Sequence, residues 1–93
     1  MKLQLTSDST GKCAVFVNPE RIDERSIYEA ALEKLKVASG VRLGESQTGP
    51  NADFTPGTIG GNRFTVFLDV DYGADVRADD PDVLDMVQRE LEA

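Results

Sequence analysis

The ten residues RFTVFLDVDY, from Arg63 to Tyr72, constrain the fold of this chain more than any other segment. Side chains of a β-strand point alternately to the two faces of a sheet. In this segment one set of alternate positions is entirely apolar, which predicts a strand with one buried face. That set consists of Phe64, Val66, Leu68, Val70 and Tyr72.

Two more strands are predicted near the start of the chain, from about Lys2 to Thr6 and from about Lys12 to Asn18. They are joined by the turn-forming residues SDSTG, so we expect a β-hairpin. A short strand is predicted to begin at Val41 to Leu43.

Two amphipathic helices are also predicted. The first runs from about Asp23, a capping residue, to Ser39, and Gly40 favours a stop after it. The second follows Asp80 and Pro81, which are typical of the cap and the first turn of a helix. Each helix has apolar residues at helical spacing, so each needs an apolar surface to pack on.

The predicted order is therefore strand, strand, helix, strand, strand, helix, in one domain over residues 1–93. We expect an α+β fold with a small antiparallel-rich sheet of three to four strands and both helices on one face. If Val15, Val17 and Phe64 face the helices, then Phe16 and Phe67 lie together on the other, less covered face. Such a pair would form a small apolar patch suited to an interface.

The segment GPNADFTPGTIGGN, residues 49–62, is predicted to belong to a long loop or hairpin arm at about 44–62. It has no lysine, precedes a strand and lacks both glycine patterns of phosphate-binding loops. Its apolar side chains, Phe54 and Ile59, either attach the arm to its own domain or anchor a partner.

The composition excludes several chemistries. The chain has no histidine and only Cys13, so it cannot form Ser-His or Cys-His catalytic pairs or Cys/His zinc sites of the usual type. No catalytic residue and no cofactor are predicted. The net charge of −7 comes from residues 69–93, which hold nine acidic and two basic residues. This charge disfavours nucleic acid and favours basic surfaces as partners.

Residues 69–80 partly resemble a calcium loop in spacing, but Ala74 occupies the required glycine position and Asp80 replaces the closing glutamate. Asp69 and Asp71 are candidates for a divalent cation site, since paired carboxylates on one strand face can bind metal. The alternative interpretation is that they form the solvated end of a strand.

These features favour a non-enzymatic, acidic protein-binding module, for example an inhibitor or adaptor that occupies the nucleic-acid-binding surface of its partner. Its partner surface is predicted at Asp75, Asp79, Asp80 and Asp82, with Phe54 and Ile59 as anchors. The first alternative is a homo-oligomeric structural subunit that uses Phe16 and Phe67 or the 44–62 arm. The second is a module that depends on a divalent cation. No signal peptide or membrane span is predicted, and the expected location is the cytoplasm.

Overall fold

The computed structural model describes residues 1–8, 11–69, 71 and 73–93. The predicted core positions Val70 and Tyr72 and the hairpin turn at 9–10 lie outside these residues. In the described part of the chain there are seven strands and two helices. In order they are β1 (Leu3–Asp8), β2 (Gly11–Phe16), α1 (Glu24–Lys36), β3 (Val41–Leu43), β4 (Gln47–Thr48), β5 (Ala52–Ile59), β6 (Asn62–Asp69), β7 (Gly73–Ala78) and α2 (Pro81–Glu92).

The described strands form one antiparallel sheet in the order β1-β2-β7-β6-β5-β3, and the two-residue β4 also pairs with β5. The α+β class is confirmed. The predicted size of three to four strands is wrong, because the proline and glycine inside β5 and the charged residues of β7 conceal both strands in the sequence. Within the described residues, neither helix has the length and apolar composition needed to cross a bilayer.

Both helices pack on one face of the sheet and form the core with it. Helix α1 begins after Asp23, whose carboxylate accepts a hydrogen bond from the N–H of Arg25, and α2 begins after Asp80 in the same way. The buried side chains of the two helices are Ile27, Tyr28, Ala31, Leu35, Val83, Leu84, Val87 and Leu91. On the strands they meet one alternating set that includes Leu3, Ala14, Phe64, Val66, Ala74 and Val76.

The predicted orientation of β2 is wrong. Ala14 and Phe16 face the helices and are 0% and 4% exposed, whereas Val15 is half-buried on the opposite face and Val17 is exposed. The segment CAVFV is apolar at every position, so alternation alone does not decide which side is buried. Phe16 buries more apolar area than a valine would, and it takes the core position.

The predicted loop or arm at 44–62 is mostly sheet. Strands β4 and β5 lie within it, and only Gly60 and Gly61, both at positive φ, form the turn into β6. Pro56 is tolerated because it lies between the short stretches that pair with β3 and β4. Gly57 is required by space, because a Cβ there would lie 2.8 Å from the ring of Phe64.

The edge strand β1 is partly capped by the end of α2. The backbone N–H of Leu3 donates a hydrogen bond to Glu92 Oε2 at 3.0 Å, and Gln88 Nε2 donates one to the carbonyl of Leu3 at 3.3 Å. The hydrogen bond from Leu3 lowers the pKa of Glu92 below its ordinary value. These contacts occupy backbone groups that an edge strand otherwise leaves available for pairing.

Candidate functional site: the open face of the sheet

The face of the sheet opposite the helices is covered by neither of them, and we call it the open face. Its side chains come from the alternate strand positions that do not enter the core. The residues that define it here are Cys13, Val15, Arg42, Phe54, Pro56, Thr58, Arg63, Thr65, Phe67, Asp69, Asp75 and Arg77.

An aromatic pair occupies the middle of the open face. Phe54 on β5 and Phe67 on β6 are direct cross-strand neighbours, and their ring centroids lie 5.7 Å apart at an interplanar angle of 30°. Both side chains are only half-buried. Tilted aromatic pairs at this distance are favourable beyond the area that they bury, so the two rings form a stable apolar surface.

Arg77 extends this cluster to the next strand. Its guanidinium carbon lies 4.2 Å from the centroid of the Phe67 ring, which is cation–π geometry. The same guanidinium donates two hydrogen bonds to Asp75, from Nε to Oδ1 at 3.0 Å and from Nη2 to Oδ2 at 3.2 Å. The Asp75 side chain is only 10% exposed, whereas that of Arg77 is 42% exposed. Asp75 therefore holds Arg77 in place over the ring.

The two ends of the open face carry opposite charges. Arg42, Thr58 and Arg63 are side by side on β3, β5 and β6 at one end. Both arginines are exposed, and neither has a carboxylate within ion-pair distance among the described residues. Asp69 lies at the other end of β6, six residues and about 20 Å from Arg63.

The structure brings together three of the predicted interface residues, Phe54, Phe67 and Asp75. It does not bring Phe16 and Ile59 to the same surface, because both are buried in the core at 4% and 5% exposure. For Ile59, attachment to its own domain is the interpretation that the structure supports.

The predicted acidic residues do not form one surface. Asp75 belongs to the open face, whereas Asp79, Asp80 and Asp82 are exposed at the start of α2. Asp80 has a local role there, since its Oδ1 accepts a hydrogen bond from the N–H of Asp82 at 2.9 Å. A carboxylate in this position is favoured by the helix dipole and satisfies an N–H that the helix leaves without a partner.

A hydrogen bond at the turn after β6 involves the carboxylate of Asp69 and the backbone of Asp71. Asp69 Oδ1 accepts a hydrogen bond from the backbone N–H of Asp71 at 2.8 Å. Among the residues that the structure describes, no three Asp, Glu, Cys or His side chains are grouped as metal ligands.

Sequence reasoning missed Arg77 and Arg63 as site residues. The signal for Arg77 was present in GADVRA, where Ala74, Val76 and Ala78 alternate with two opposite charges. That pattern is typical of a strand with one apolar face and a same-face ion pair. Arg63 is predicted only as the first residue of the strand that extends to Tyr72.

Comparison of this chain with protein-family models, with curated proteins and with solved structures found no significant match.

Proposed function

We propose that this chain is a protein-binding module and that its partner docks on the open face. The observation that carries the proposal is the cluster of Phe54, Phe67 and Arg77 in the middle of that face. Aromatic residues, including phenylalanine, and arginine are enriched at protein interfaces, and arginine is among the residues that supply much of the binding energy from central positions. The proposal assigns a binding role and no catalytic residue.

The cluster is fixed before any partner arrives. The two hydrogen bonds from Arg77 to Asp75 and the contact with Phe67 already restrict a side chain that would otherwise lose much rotamer freedom on binding. Because this cost is met in folding, less of it opposes association. A sheet face whose central side chains are already held in place is thus suited to docking without rearrangement.

The charges of the open face specify the chemistry of the partner. Its centre must be apolar to cover Phe54 and Phe67. It must place a carboxylate opposite Arg63 and a cation opposite Asp69, about 20 Å apart along one line. A partner with that arrangement gains complementarity at both ends, whereas one with uniform charge meets repulsion at one end.

The hypothesis of a basic partner surface at the acidic start of α2 remains a separate proposal. It now involves Asp79 and Asp82, because Asp80 caps the helix and Asp75 is paired with Arg77. Charge reversal of Asp79 and Asp82 tests it, since a basic partner would be lost from that variant and from no open-face variant.

Site-specific photocrosslinking tests the docking surface. A photoreactive amino acid replaces Thr65, which is half-buried on the open face, and in a matched control it replaces Glu33, which is exposed on α1. Both variants are irradiated in an extract of cells that produce the chain, and adducts are weighed by mass spectrometry. We expect an adduct of one defined mass from position 65 that disappears when Phe67→Ser is added.

The controls decide the interpretation. An adduct that forms from position 33 and not from position 65 contradicts the proposal. So does an adduct from position 65 that is unaffected by Phe67→Ser, because the aromatic cluster would then play no part in binding.

A further inference from the structure

The open face has a charge pattern that reverses along its central strand. The outward residues of β6 are, in order, Arg63, Thr65, Phe67 and Asp69. A cation stands at one end and a carboxylate at the other, at equal distances from the level of Val66. The neighbouring strand repeats the reversal, since Asp75 is level with Phe67 and Arg77 is level with Thr65.

A pattern that reverses about its midpoint is complementary to itself. Two copies whose open faces meet can be related by a two-fold axis that lies midway between the sheets, at the level of Val66 and perpendicular to the strands. Each strand then runs antiparallel to its equivalent in the other copy. Arg63 then faces Asp69 of the second copy, and Asp69 faces its Arg63. An isologous interface requires this kind of self-complementary surface.

We propose that the partner on the open face is a second copy of this chain, docked face to face about that axis. The inference rests on the proposed docking function and adds the identity of the partner. In the dimer, Phe67 packs near Thr65 of the other copy, and Phe54 packs near its Pro56. The apolar centre of each face is covered by the centre of the other, and strand directions stay within about 30°, as in aligned sheet packing.

The charges also select this axis over the alternative. A two-fold axis parallel to β6 would set Arg63 against Arg63 and Asp69 against Asp69 of the second copy. Like charges at both ends oppose that arrangement. The antiparallel arrangement is thus the one that the distribution of charge favours.

The whole chain exposes more surface than a folded monomer of its mass is expected to expose. A folded monomer of 10.1 kDa is expected to expose about 5,300 Å². This chain exposes 6006 Å², an excess of about 700 Å². Each partner of an interface of ordinary size buries about 800 Å².

The net charge of −7 on each copy does not prevent this association. The exposed acids of α2 lie in the helix layer, which is on the outer side of each sheet. Two facing sheets are about 10 Å apart, and the two helix layers are further apart than that. This separation exceeds the Debye length of about 8 Å at physiological salt, so the repulsion between the layers is largely screened.

Sedimentation equilibrium on four chains tests the proposal: the wild type, Arg63→Glu, Asp69→Arg, and the double variant with both changes. We expect a wild-type dimer and a dissociation constant at least about tenfold higher in each single variant, because each places like charges at both ends of the interface. The double variant restores opposite charges between copies, so its dissociation constant returns towards that of the wild type. Lys36→Glu, an exposed reversal on α1 that changes the net charge as Arg63→Glu does, leaves the dimer intact.

Far-UV circular dichroism of each variant reports whether it is folded. Asp69→Arg also removes the hydrogen bond that Asp69 accepts from the backbone of Asp71. Arg63→Glu and Phe67→Ser leave that hydrogen bond in place, and both are expected to dissociate the dimer. A wild type that is monomeric at millimolar concentration, or a double variant no tighter than the single ones, overturns the inference. If the crosslink from position 65 then joins the chain to a different protein, the proposed docking function stands, and only the identification of the partner as a second copy is wrong.

Discussion

Thr55 places a hydroxyl group inside the core, where the side chain is 2% exposed. Its Oγ1 lies 2.7 Å from the hydroxyl oxygen of Tyr28 and 2.6 Å from Oγ of Ser46. A buried hydroxyl without a partner costs about 1–3 kcal/mol, so this hydrogen bond is what allows Tyr28 to present its polar end to the sheet. It also joins α1 to β5.

We predict that Thr55→Val destabilises the fold by about 1–2 kcal/mol, because it keeps the shape of the side chain and leaves the Tyr28 hydroxyl without its partner. Urea unfolding measures the change. The double variant Thr55→Val with Tyr28→Phe removes both hydroxyl groups, and we expect it to cost less than the sum of the single changes. Additive losses would show that the two hydroxyl groups do not interact.

Single residues also explain why part of the fold could not be predicted from sequence. Pro56 and Gly57 in the middle of β5 are both unfavourable in strands, and so they concealed an eight-residue strand. Gly57 is there because the ring of Phe64 occupies the space of a side chain, which is a contact between two strands that no local pattern reveals. Phe54 was predicted from the sequence as an anchor, but its neighbour across the strands, Phe67, could be assigned to it only from the register.

At the scale of elements, the helices were the most predictable parts. The capping residues Asp23 and Asp80 were identified correctly because caps depend on a few adjacent residues. Strand β7 was missed for the opposite reason. Its charged residues Asp75 and Arg77 satisfy each other on one face, a fact that becomes visible only when both neighbouring strands are in place.

The contact between α2 and β1 gives a prediction that depends on pH. The hydrogen bond from Leu3 lowers the pKa of Glu92 in the folded state relative to the ordinary value of 4.5. The charged carboxylate therefore stabilises the fold at pH values above 4.5, and this contribution is lost as the pH falls through the folded-state pKa. We expect Glu92→Gln to lower the thermal midpoint slightly at neutral pH.

The difference between the wild type and Glu92→Gln should disappear in acid, where both side chains are uncharged. Glu90→Gln, on the same helix, is the matched control and should show a smaller effect at neutral pH. Thermal unfolding followed by circular dichroism measures all three chains. A difference that persists unchanged at low pH would contradict the assignment to this hydrogen bond.

At the scale of the whole molecule, the helix layer is acidic and the open face carries both signs of charge. The sequence alone showed the excess of acidic residues near the end of the chain and could not show this separation. Which residues share a face depends on the register of β5, β6 and β7, and the orientation of the apolar segment at β2 was ambiguous. The layered α+β architecture followed from periodicity, whereas the composition of the open face required the complete sheet.

If two copies associate through the open face, stability must depend on concentration. A dimer that unfolds to separate chains is stabilised by mass action. For a chain of 93 residues we expect the thermal midpoint to rise by roughly 3–5 °C for each tenfold increase in concentration. Differential scanning calorimetry measures this rise, and Arg63→Glu should remove most of it while the low-concentration midpoint stays close to that of the wild type. An equal rise in both chains would assign the association to another surface.

The pairing of β2 with β7 determines when the sheet can be completed during synthesis. Val15 pairs with Asp75, sixty residues further along the chain. The first hairpin therefore leaves the ribosome long before the strand that it must join. The meander of β5, β6 and β7 joins strands that follow one another directly, and it can assemble without the first hairpin. The nascent chain therefore carries an unpaired inner edge on β2 until β7, in its last third, has been synthesised. Distant pairings also form more slowly than local ones. The longer β2 stays unpaired, the greater the opportunity for the nascent chain to aggregate through this edge.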